Sequence, residues 1–323
     1  GRADPYGRPS YAEVRDSRIS GQRNRTIDVV VRIHDGLRDV EGFLDAVLQA
    51  RQGSAQRLIL VDDGSKGEIR SYLDDFLARE TDTLLHRFET PCGQVLSDNV
   101  GIALSSADMV VLLDGDTKLS QGWAEKMADA LFSKPSNGVV GPLSNASEDQ
   151  FFPLLSGPDA VTNAPEGESD ESLVRINALC ERVALSDVLP RVPVVDGPCL
   201  GFSRAAIDGV GVLDERFFPG GYCTRADFCF RVAEAGFGVV LAMHTYVMHR
   251  RPEAEAETRQ LDRARQAEWN QLKRLHGAER VSRAVDSLGR HPLLSDLRAA
   301  LAKLDLDVAE GSPKALAEAA GPQ

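Results

Sequence analysis

Two acidic clusters follow apolar runs of strand length and could hold a cation together with a phosphate. Asp62-Asp63 comes after the apolar run 58–61, and Asp114-Gly115-Asp116 comes after the run 109–113. Because each run stops at carboxylates and turn residues, the charges are predicted to lie at the carboxyl end of a strand, where open α/β sheets bind ligands. Two carboxylates one residue apart can share a hard divalent cation whose other ligands are waters and phosphate oxygens. The second cluster therefore predicts a metal-bound phosphate ligand.

The elements that would position these clusters are strands alternating with amphipathic helices. Helical spacing of Ile69, Tyr72, Leu73, Phe76 and Leu77 predicts one such helix, and others are expected over 43–50 and 95–104. Apolar runs predict strands over 27–33, 58–61, 84–88 and 109–113. The repetition of strand and helix predicts the α/β class, with a mostly parallel central sheet flanked by helices on both faces.

The rest of the chain is less regular, and we divide the whole into three parts. Residues 1–26 are predicted to be an amino-terminal extension, 27–250 the α/β domain, and 251–323 a helical carboxy-terminal region. Within the domain, the composition of 156–172 indicates a long loop or a lid. The remaining expected elements are helices over 123–132, from 204 and over 226–235, and strands over 138–141, 192–195 and 239–242.

The composition of the chain disfavours several classes of protein. The 323 residues are 42% hydrophobic and carry a formal net charge of −12, which disfavours nucleic acid as a partner. No apolar run approaches the roughly 20 residues needed to span a bilayer, although peripheral membrane association stays open. Residues 1–25 lack the apolar core of a secretory signal, so we expect a cytoplasmic protein. The five cysteines show no paired metal spacing and favour buried thiols over a zinc site or a disulfide framework.

Several short blocks occur in a fixed order along residues 27–249. They are His34-Asp35-Gly36, Val61-Asp62-Asp63-Gly64-Ser65, Asp98-Asn99-Val100-Gly101, Asp114-Gly115-Asp116-Thr117, Gly197-Pro198-Cys199-Leu200-Gly201-Phe202, Asp227-Phe228-Cys229-Phe230-Arg231 and His249. In this order they resemble the nucleotide-sugar glycosyltransferases of family 2, which have the GT-A fold, and in particular a rhamnosyltransferase-like branch. A dinucleotide-binding dehydrogenase is disfavoured, because the first strand is not followed by Gly-x-Gly-x-x-Gly.

The resemblance implies a role for each acidic residue. Asp63 takes the position that recognises the base, since a carboxylate accepts the imide hydrogen of uracil or thymine, whereas Asp62 is expected only to cap a turn. Asp114 matches a position near the ribose and the metal, and Asp116 matches the direct metal ligand. A solvated turn is the alternative for this pair. His249 matches a histidine that contacts metal or diphosphate, with a structural histidine as the alternative.

Four further residues are expected around the nucleotide. His34 stands where relatives have an aromatic residue beside the base, and a surface histidine is the alternative. Gln94 and Asn99 face the same pocket in the family, with helix capping as the alternative. Arg32 replaces the usual proline in the first strand and is expected either to reach the diphosphate or to snorkel from an edge.

This chain departs from the family at the position of the general base. An inverting transferase needs a cation for the leaving diphosphate and a base for the acceptor hydroxyl. Relatives place an acidic pair just ahead of Asp227, but Thr224 and Arg225 stand there, and arginine stays protonated. Asp227 and Asp196 are candidate catalytic replacements, although Asp227 is also expected to pair with Arg231 at a helix start.

The absence of the usual acid is also compatible with two different mechanistic situations. Either the acceptor is itself nucleophilic or the reaction retains configuration, so that no base is needed, or activity is lost and a nucleotide-sugar-binding or scaffold domain remains. The expected function is sugar transfer from a UDP- or dTDP-sugar to a hydroxyl of a glycan or another acceptor, with Mn²⁺ or Mg²⁺. We expect a role in bacterial polysaccharide or glycoconjugate synthesis, and oligomerisation is left open.

Overall fold

The computed structural model describes residues 25–35, 37, 39–50, 56–145, 170–184, 189–249, 258–297 and 299–300. The strands in this part are β1 (Ile27–Ile33), β2 (Gln56–Asp63), β3 (Thr83–Phe88), β4 (Met109–Leu113), β5 (Thr117–Leu119), β6 (Asn137–Ser144), β7 (Arg191–Val192), β8 (Cys199–Ser203) and β9 (Gly238–His249). The helices are α1 (Val40–Gln49), α2 (Gly67–Arg79), α3 (Gln94–Leu104), α4 (Trp123–Leu131), α5 (Asp170–Val183), α6 (Arg204–Val210), α7 (Thr224–Glu234), α8 (Thr258–His276) and α9 (Ala278–Gly289).

The strands form one sheet in the order β3-β2-β1-β4-β8-β6-β9-β5, with β7 paired to β9. Strands β1 to β4 are mutually parallel, which confirms the parallel core predicted from the alternation of strand and helix. Strand β8 runs antiparallel to both β4 and β6, and β6 is again parallel to β9. The sheet therefore continues beyond its parallel half as a mixed sheet, which the apolar runs did not predict.

This topology brings strand ends from distant parts of the chain to one edge of the sheet. Leu113 at the end of β4 pairs with Cys199 at the start of β8, and Thr117 at the start of β5 pairs with His249 at the end of β9. The carboxyl ends of β1, β2, β4 and β9 therefore lie together. We refer to this side of the sheet as the carboxyl edge.

Helices cover both faces of the sheet, and successive residues of β1 point to opposite layers. Val31 and Ile33 pack in a cluster with residues of α1, α2 and α4, whereas Val30 packs in a second cluster with residues of α3 and α7. Helix α3 rests directly on the sheet, because a Cβ added to Gly101 would lie 2.1 Å from Val30 Cγ1. Residues at the start of α3 are thereby held close to the carboxyl edge.

Strand β9 is longer than the predicted strand over 239–242 and carries a bulge. Relative to the register with β6, residues 243–245 are extra, and Asn177 Oδ1 accepts the backbone N–H of Tyr246 at 3.2 Å beyond the bulge. Bulges bend a strand and change where its side chains point. Past the bulge, β9 extends to His249 and places it at the carboxyl edge.

The carboxy-terminal helices pack onto the same body. Leu272 of α8 and Val281 and Leu288 of α9 are buried in the cluster that contains Phe230 of α7. The prediction of helices beyond residue 250 is confirmed for 258–289. None of the helices in the described residues is long and apolar enough to cross a membrane.

Other predicted segments are only partly present among the described residues. The loop expected over 156–172 lies outside the described residues except for 170–172, which belong to α5, and the expected strand over 192–195 is limited to β7. Of the expected extension 1–26, only Arg25 and Thr26 are described. The prediction of buried thiols is confirmed for four of the five unpaired cysteines, namely Cys180, Cys199, Cys223 and Cys229.

Candidate functional site

The two acidic clusters lie on the α3 side of the sheet at the carboxyl edge. Asp63 follows Val61 by two residues, and Val61 packs in the cluster that contains α3. Asp114 bears the same relation to Leu112, which belongs to that cluster too. Since side chains two residues apart share a face of a strand, the two carboxylates are directed to the same side.

Asp62 has the structural role predicted for it. One carboxylate oxygen accepts the backbone N–H of Ser65 at 2.8 Å, which closes the turn after β2. The other accepts Nε of Arg87 in β3 at 2.7 Å. Asp62 therefore ties β2 to the turn and to the neighbouring strand, and the expectation that it caps the turn is confirmed.

The Asp63 carboxylate is enclosed, with 0% of its side chain exposed. Its oxygens accept the backbone N–H groups of Cys92 and Gly93, and Oδ2 also accepts Nε and Nη2 of Arg32 at 2.8 and 2.7 Å. Burial acts to raise the pKa of Asp63, but the hydrogen bonds from Cys92 and Arg32 outweigh it and hold the pKa below its ordinary value. The residue predicted to read the base is thus ionised and bonded on both oxygens.

Arg32 lies between Asp63 and solvent. It does not extend from a sheet edge, because β1 lies between β2 and β4. It is bonded to Asp63, and 25% of its side chain is exposed. His34, half-buried at the end of β1, is its neighbour: burial and then the charge of Arg32 lower the pKa of His34, while Asp63 and Asp116 act in the opposite direction. His34 therefore lies near both acidic clusters, and its place beside the base stays a prediction.

Asp116 and His249 meet at the carboxyl edge. Asp116 Oδ1 lies 3.1 Å from His249 Nε2, and 42% and 28% of the two side chains are exposed. Asn145 fixes the end of β9, because its amide nitrogen donates to the His249 carbonyl at 3.1 Å and its amide oxygen accepts the His249 N–H at 2.7 Å. The carboxylate and the imidazole predicted as metal ligands are therefore adjacent and accessible.

This pair fits a divalent cation through two protein ligands. No cluster of three His, Cys, Asp or Glu side chains suited to an ion occurs within the described residues. Cations that act on phosphates are commonly held by one or two carboxylates, with waters and the phosphate oxygens completing the shell, and imidazole suits the transition metals among them. Asp116 and His249 would hold the cation, whereas Asp114 is bonded to other residues.

Asp114 is bonded to two side chains of the protein. Gln94 Nε2 donates to Oδ1 at 3.3 Å, which brings Gln94 to the site as predicted. Arg225 binds the same carboxylate through both terminal nitrogens, with Nη2 2.6 Å from Oδ1 and Nη1 3.2 Å from Oδ2. In the turn between the two acids, a Cβ added to Gly115 would lie 2.7 Å from Leu37 Cδ1, so the Leu37 side chain would have to shift to admit a larger residue.

Arg225 is buried at the position where the family has its general base. Only 5% of its side chain is exposed, and it donates to the Gly197 carbonyl and lies 3.7 Å from Asp98 Oδ2. Burial acts to lower the pKa of Arg225, but the carboxylates of Asp114 and Asp98 outweigh it and raise the pKa above its ordinary value. Arg225 is therefore a permanent cation and cannot accept a proton.

Asp98 is part of the site, although the sequence named it only within a block and predicted no role for it. It is buried on α3, and burial raises its pKa to about 7 against the opposing effect of Arg225. The signal was its spacing from Val95 and Ile102, which places a carboxylate on the apolar face of the predicted helix. Perturbed carboxyl groups of this kind cluster at functional sites.

The predictions for Asn99 and Asp227 are corrected by their contacts. Asn99 does not offer its amide to the pocket, because Nδ2 donates to the Leu213 carbonyl at 3.0 Å and Oδ1 accepts the Leu213 N–H at 2.9 Å. Asp227 is buried and accepts Nε of Arg231 and Nε2 of His276, each at 2.8 Å. Its predicted pairing with Arg231 is thus confirmed, and its carboxylate is used away from the site.

Asp196 is the remaining predicted carboxylate. It precedes β8, is 9% exposed, and accepts the N–H of Gly197 at 2.8 Å. The carbonyl of Gly197 accepts a hydrogen bond from Arg225. Asp196 therefore stands next to the buried arginine at the carboxyl edge.

Helix α8 supports the segment that leads into α7. Glu268 of α8 is buried, and its two oxygens accept the backbone N–H groups of Gly220 at 2.6 Å and Cys223 at 3.1 Å. Burial raises the pKa of Glu268 above its ordinary value, although these N–H groups act against the rise. The carboxy-terminal region therefore holds the start of the helix that carries Arg225.

The chain is similar to known proteins in both sequence and fold. The family model described as Glycosyl transferase family 2 matches residues 28–209, more than half of the chain. The pre-mycofactocin glycosyltransferase of Mycobacterium tuberculosis is 28% identical over 219 residues, which cover 67% of this chain and 41% of that protein. Human polypeptide N-acetylgalactosaminyltransferase 15 is 25% identical over 196 residues, or 58% of this chain and 30% of that protein. The chain spans less than half the length of both relatives.

Two solved structures share the fold. A mannosyltransferase from Pyrobaculum calidifontis, in complex with GDP-Man and Mn²⁺, superposes with a TM-score of 0.58 at 14% identity and covers 94% of this chain and 84% of its own. GalNAc-T7 with UDP, GalNAc and Mn²⁺ superposes with a TM-score of 0.55 at 14% identity, covering 90% and 59%. At this identity the likeness concerns the fold, a mixed α/β sheet flanked by helices of the GT-A type.

Proposed function

This chain belongs to glycosyl transferase family 2, and from that premise we propose that it transfers a sugar from a nucleotide diphosphate sugar to an acceptor hydroxyl. The observation that carries the proposal is the contact of Asp116 with His249 at 3.1 Å on the exposed carboxyl edge. Its relatives and structural neighbours are glycosyltransferases, and the two solved structures contain Mn²⁺ with a nucleotide or nucleotide sugar.

Each residue of the site has a role in this proposal. Asp116 and His249 hold the cation, and Mn²⁺ suits a site that includes an imidazole better than Mg²⁺ does. A divalent cation supplies charge neutralisation on the departing diphosphate. His34 lies beside the base, and Gln94 orients Asp114.

The general base is the open part of the mechanism. Asp227 is excluded by its bonds to Arg231 and His276, so Asp196 is the remaining predicted carboxylate near Arg225. We propose that Asp196 accepts the proton if the reaction inverts configuration. An acceptor that is itself nucleophilic, or a retaining reaction, would need no such residue. The rhamnosyltransferase-like branch and a role in bacterial glycoconjugate synthesis remain predictions.

A second function is favoured by one observation, the burial of Arg225 in the place of the base. Its bidentate bond to Asp114 neutralises one of the two carboxylates of the Asp-Gly-Asp turn. The alternative is therefore a domain that binds a nucleotide sugar without transferring it and acts as a scaffold. In this alternative the protein still binds the nucleotide sugar but does not transfer the sugar to an acceptor.

One experiment separates the two functions. The protein is incubated with Mn²⁺ and a panel of GDP-, UDP- and dTDP-sugars, and both donor binding and slow donor hydrolysis are measured. A transferase is expected to hydrolyse one donor slowly, and Asp116→Ala should abolish that turnover. The matched control is Asp286→Ala, which removes an exposed carboxylate on α9, a helix that contacts β7 beside the amino-terminal part of β9.

Each outcome has a distinct meaning. Turnover that survives Asp116→Ala would remove that residue from the mechanism. Tight binding of a donor without turnover on any acceptor would favour the binding domain. If no nucleotide binds with any divalent cation, the proposed function is wrong.

A further inference from the structure

We propose that Arg32, rather than Asp63, makes the hydrogen bonds to the nucleotide base, and that the site therefore prefers guanine. The inference rests on the proposed function, since it concerns the base of the same donor. The sequence predicts a UDP- or dTDP-sugar because a free Asp63 carboxylate would accept an imide hydrogen. That carboxylate is enclosed, whereas a quarter of the Arg32 side chain is exposed.

Asp63 has no capacity left for a base. Its side chain is 0% exposed, and its oxygens already accept the N–H groups of Cys92 and Gly93 and the guanidinium of Arg32. A uracil could reach it only by displacing Arg32 and so depriving the buried Asp63 carboxylate of its counter-ion. Breaking a pair of this kind is strongly unfavourable. Asp63 is therefore a positioning residue that holds Arg32.

The geometry of this bond decides which donors of Arg32 point outward. Nε and Nη2 both bind Asp63 Oδ2, at 2.8 and 2.7 Å, so the guanidinium meets the carboxylate with its side edge. The end of the guanidinium fork, formed by Nη1 and the second proton of Nη2, is directed away from Asp63. A guanidinium is planar and rigid, so these two N–H groups are parallel and close together.

Such a fork fits a base with two neighbouring acceptors. Guanine presents O6 and N7 side by side, and a bidentate bond from arginine to these atoms is the commonest specific contact to a base edge. Uracil and thymine instead carry an N–H donor between their two carbonyl groups, and a donor-only guanidinium cannot bond to it. Because Arg32 occupies the Asp63 carboxylate, that carboxylate no longer accepts an imide hydrogen. The site instead presents two N–H donors of Arg32, which suit guanine.

The first test uses the unaltered protein. Binding of GDP, UDP, dTDP and 7-deaza-GDP is measured by titration calorimetry in the presence of Mn²⁺. GDP is expected to bind at least about tenfold more tightly than UDP or dTDP, and 7-deaza-GDP, which lacks the N7 acceptor, is expected to lose about tenfold relative to GDP. Equal binding of GDP and 7-deaza-GDP, or tighter binding of UDP or dTDP, would overturn the inference.

The second test uses a matched pair of variants. Arg32→Lys keeps the charge beside Asp63 but removes the fork, and it should abolish the preference for GDP. Arg57→Lys is the control, because Arg57 binds Asp28 with its Nε and Nη2 across the same two strands at the opposite edge of the sheet. The control should keep the preference.

The two proposals fail in different ways. If Arg32→Lys retains the preference while the protein still binds nucleotides, the assignment of Arg32 is wrong and the proposed function stands. If neither the unaltered protein nor Arg57→Lys binds any nucleoside diphosphate, the proposed function fails first.

Discussion

Arg225 and Asp114 form a bidentate ion pair at the carboxyl edge of the sheet, although 111 residues separate them in the sequence. The guanidinium also bonds to the Gly197 carbonyl and approaches Asp98, so a cation of the protein itself is built in beside the Asp-Gly-Asp turn. Asp114 is thereby neutralised internally, whereas Asp116 stays available next to His249. The two acids of one short turn have different partners and different tasks.

Replacing the buried Arg225 should lower the free energy of unfolding substantially. Arg225→Met leaves the carboxylates of Asp114 and Asp98 without their counter-ion, and the free energy of unfolding is expected to fall by roughly 3–5 kcal/mol. Urea denaturation followed by circular dichroism measures the change. Arg216→Met is the control, since Arg216 pairs with Asp214 at the surface and its loss should leave the transition in place. A stable Arg225→Met protein would contradict the assigned role.

Removing the imidazole of the proposed cation pair should weaken metal binding. His249→Ala leaves Asp116 as the one side chain of that pair, and the dissociation constant for Mn²⁺ is expected to rise at least about tenfold, or about 1.4 kcal/mol. Electron paramagnetic resonance of free Mn²⁺ gives the constant directly. His291→Ala, which alters a histidine after α9, serves as the control. Unchanged affinity in His249→Ala would show that the imidazole is structural.

Asp98 gives a dependence of stability on pH with a defined sign. Its pKa is raised from 3.8 to about 7 in the folded protein, so the folded state binds the proton more tightly than the unfolded state. The contribution of Asp98 to the free energy of unfolding therefore falls as pH rises from about 4 to 7, by up to about 1.4 kcal/mol per pH unit. Asp98→Asn should remove this loss. The denaturation midpoint of the variant should therefore fall less between pH 5 and pH 7 than that of the unaltered protein. An unaltered pH profile in the variant would argue against a buried carboxyl.

His244 gives a pH dependence of stability with the opposite sign. It is buried, its ring lies 3.2 Å from the Lys126 carbonyl, and burial lowers its pKa from 6.5 to about 3. The unfolded state then binds the proton more tightly, so stability falls as pH drops from 6.5 towards 3. His244→Gln, which keeps a donor and does not ionise, should lose less stability between pH 6 and pH 4 than the unaltered protein. A steeper acid loss in the variant would contradict this account.

Local interactions could be predicted from the sequence, because their partners are close along the chain. The apolar runs predicted the parallel strands, Asp62 was expected to cap its own turn, and Asp227 was expected to pair with Arg231 four residues later. These relations depend on strand length, turn chemistry and helical spacing. They needed no knowledge of how distant elements meet.

Contacts between residues that are far apart in the sequence were not predicted. Asn99 bonds to Leu213, and Asp114 to Arg225, across more than 100 residues in each case. Leu213 follows α6 and Arg225 lies on α7, so both pairings depend on how the elements after β8 are placed beside the parallel half of the sheet. Strand β8 contains glycine and lies among other motifs, so no apolar period marked it as an antiparallel member of the sheet.

The stretch matched by the family model ends at residue 209, but the site does not. Arg225, His249 and Glu268 all lie beyond that point and complete the carboxyl edge from the second half of the chain. A chimera that received residues 28–209 from a relative would import that relative's acidic turns and keep this chain's buried arginine beneath them. Exchange of the matched stretch alone would therefore yield a hybrid site, in which the relative's acidic turn meets Arg225 and His249 of this chain.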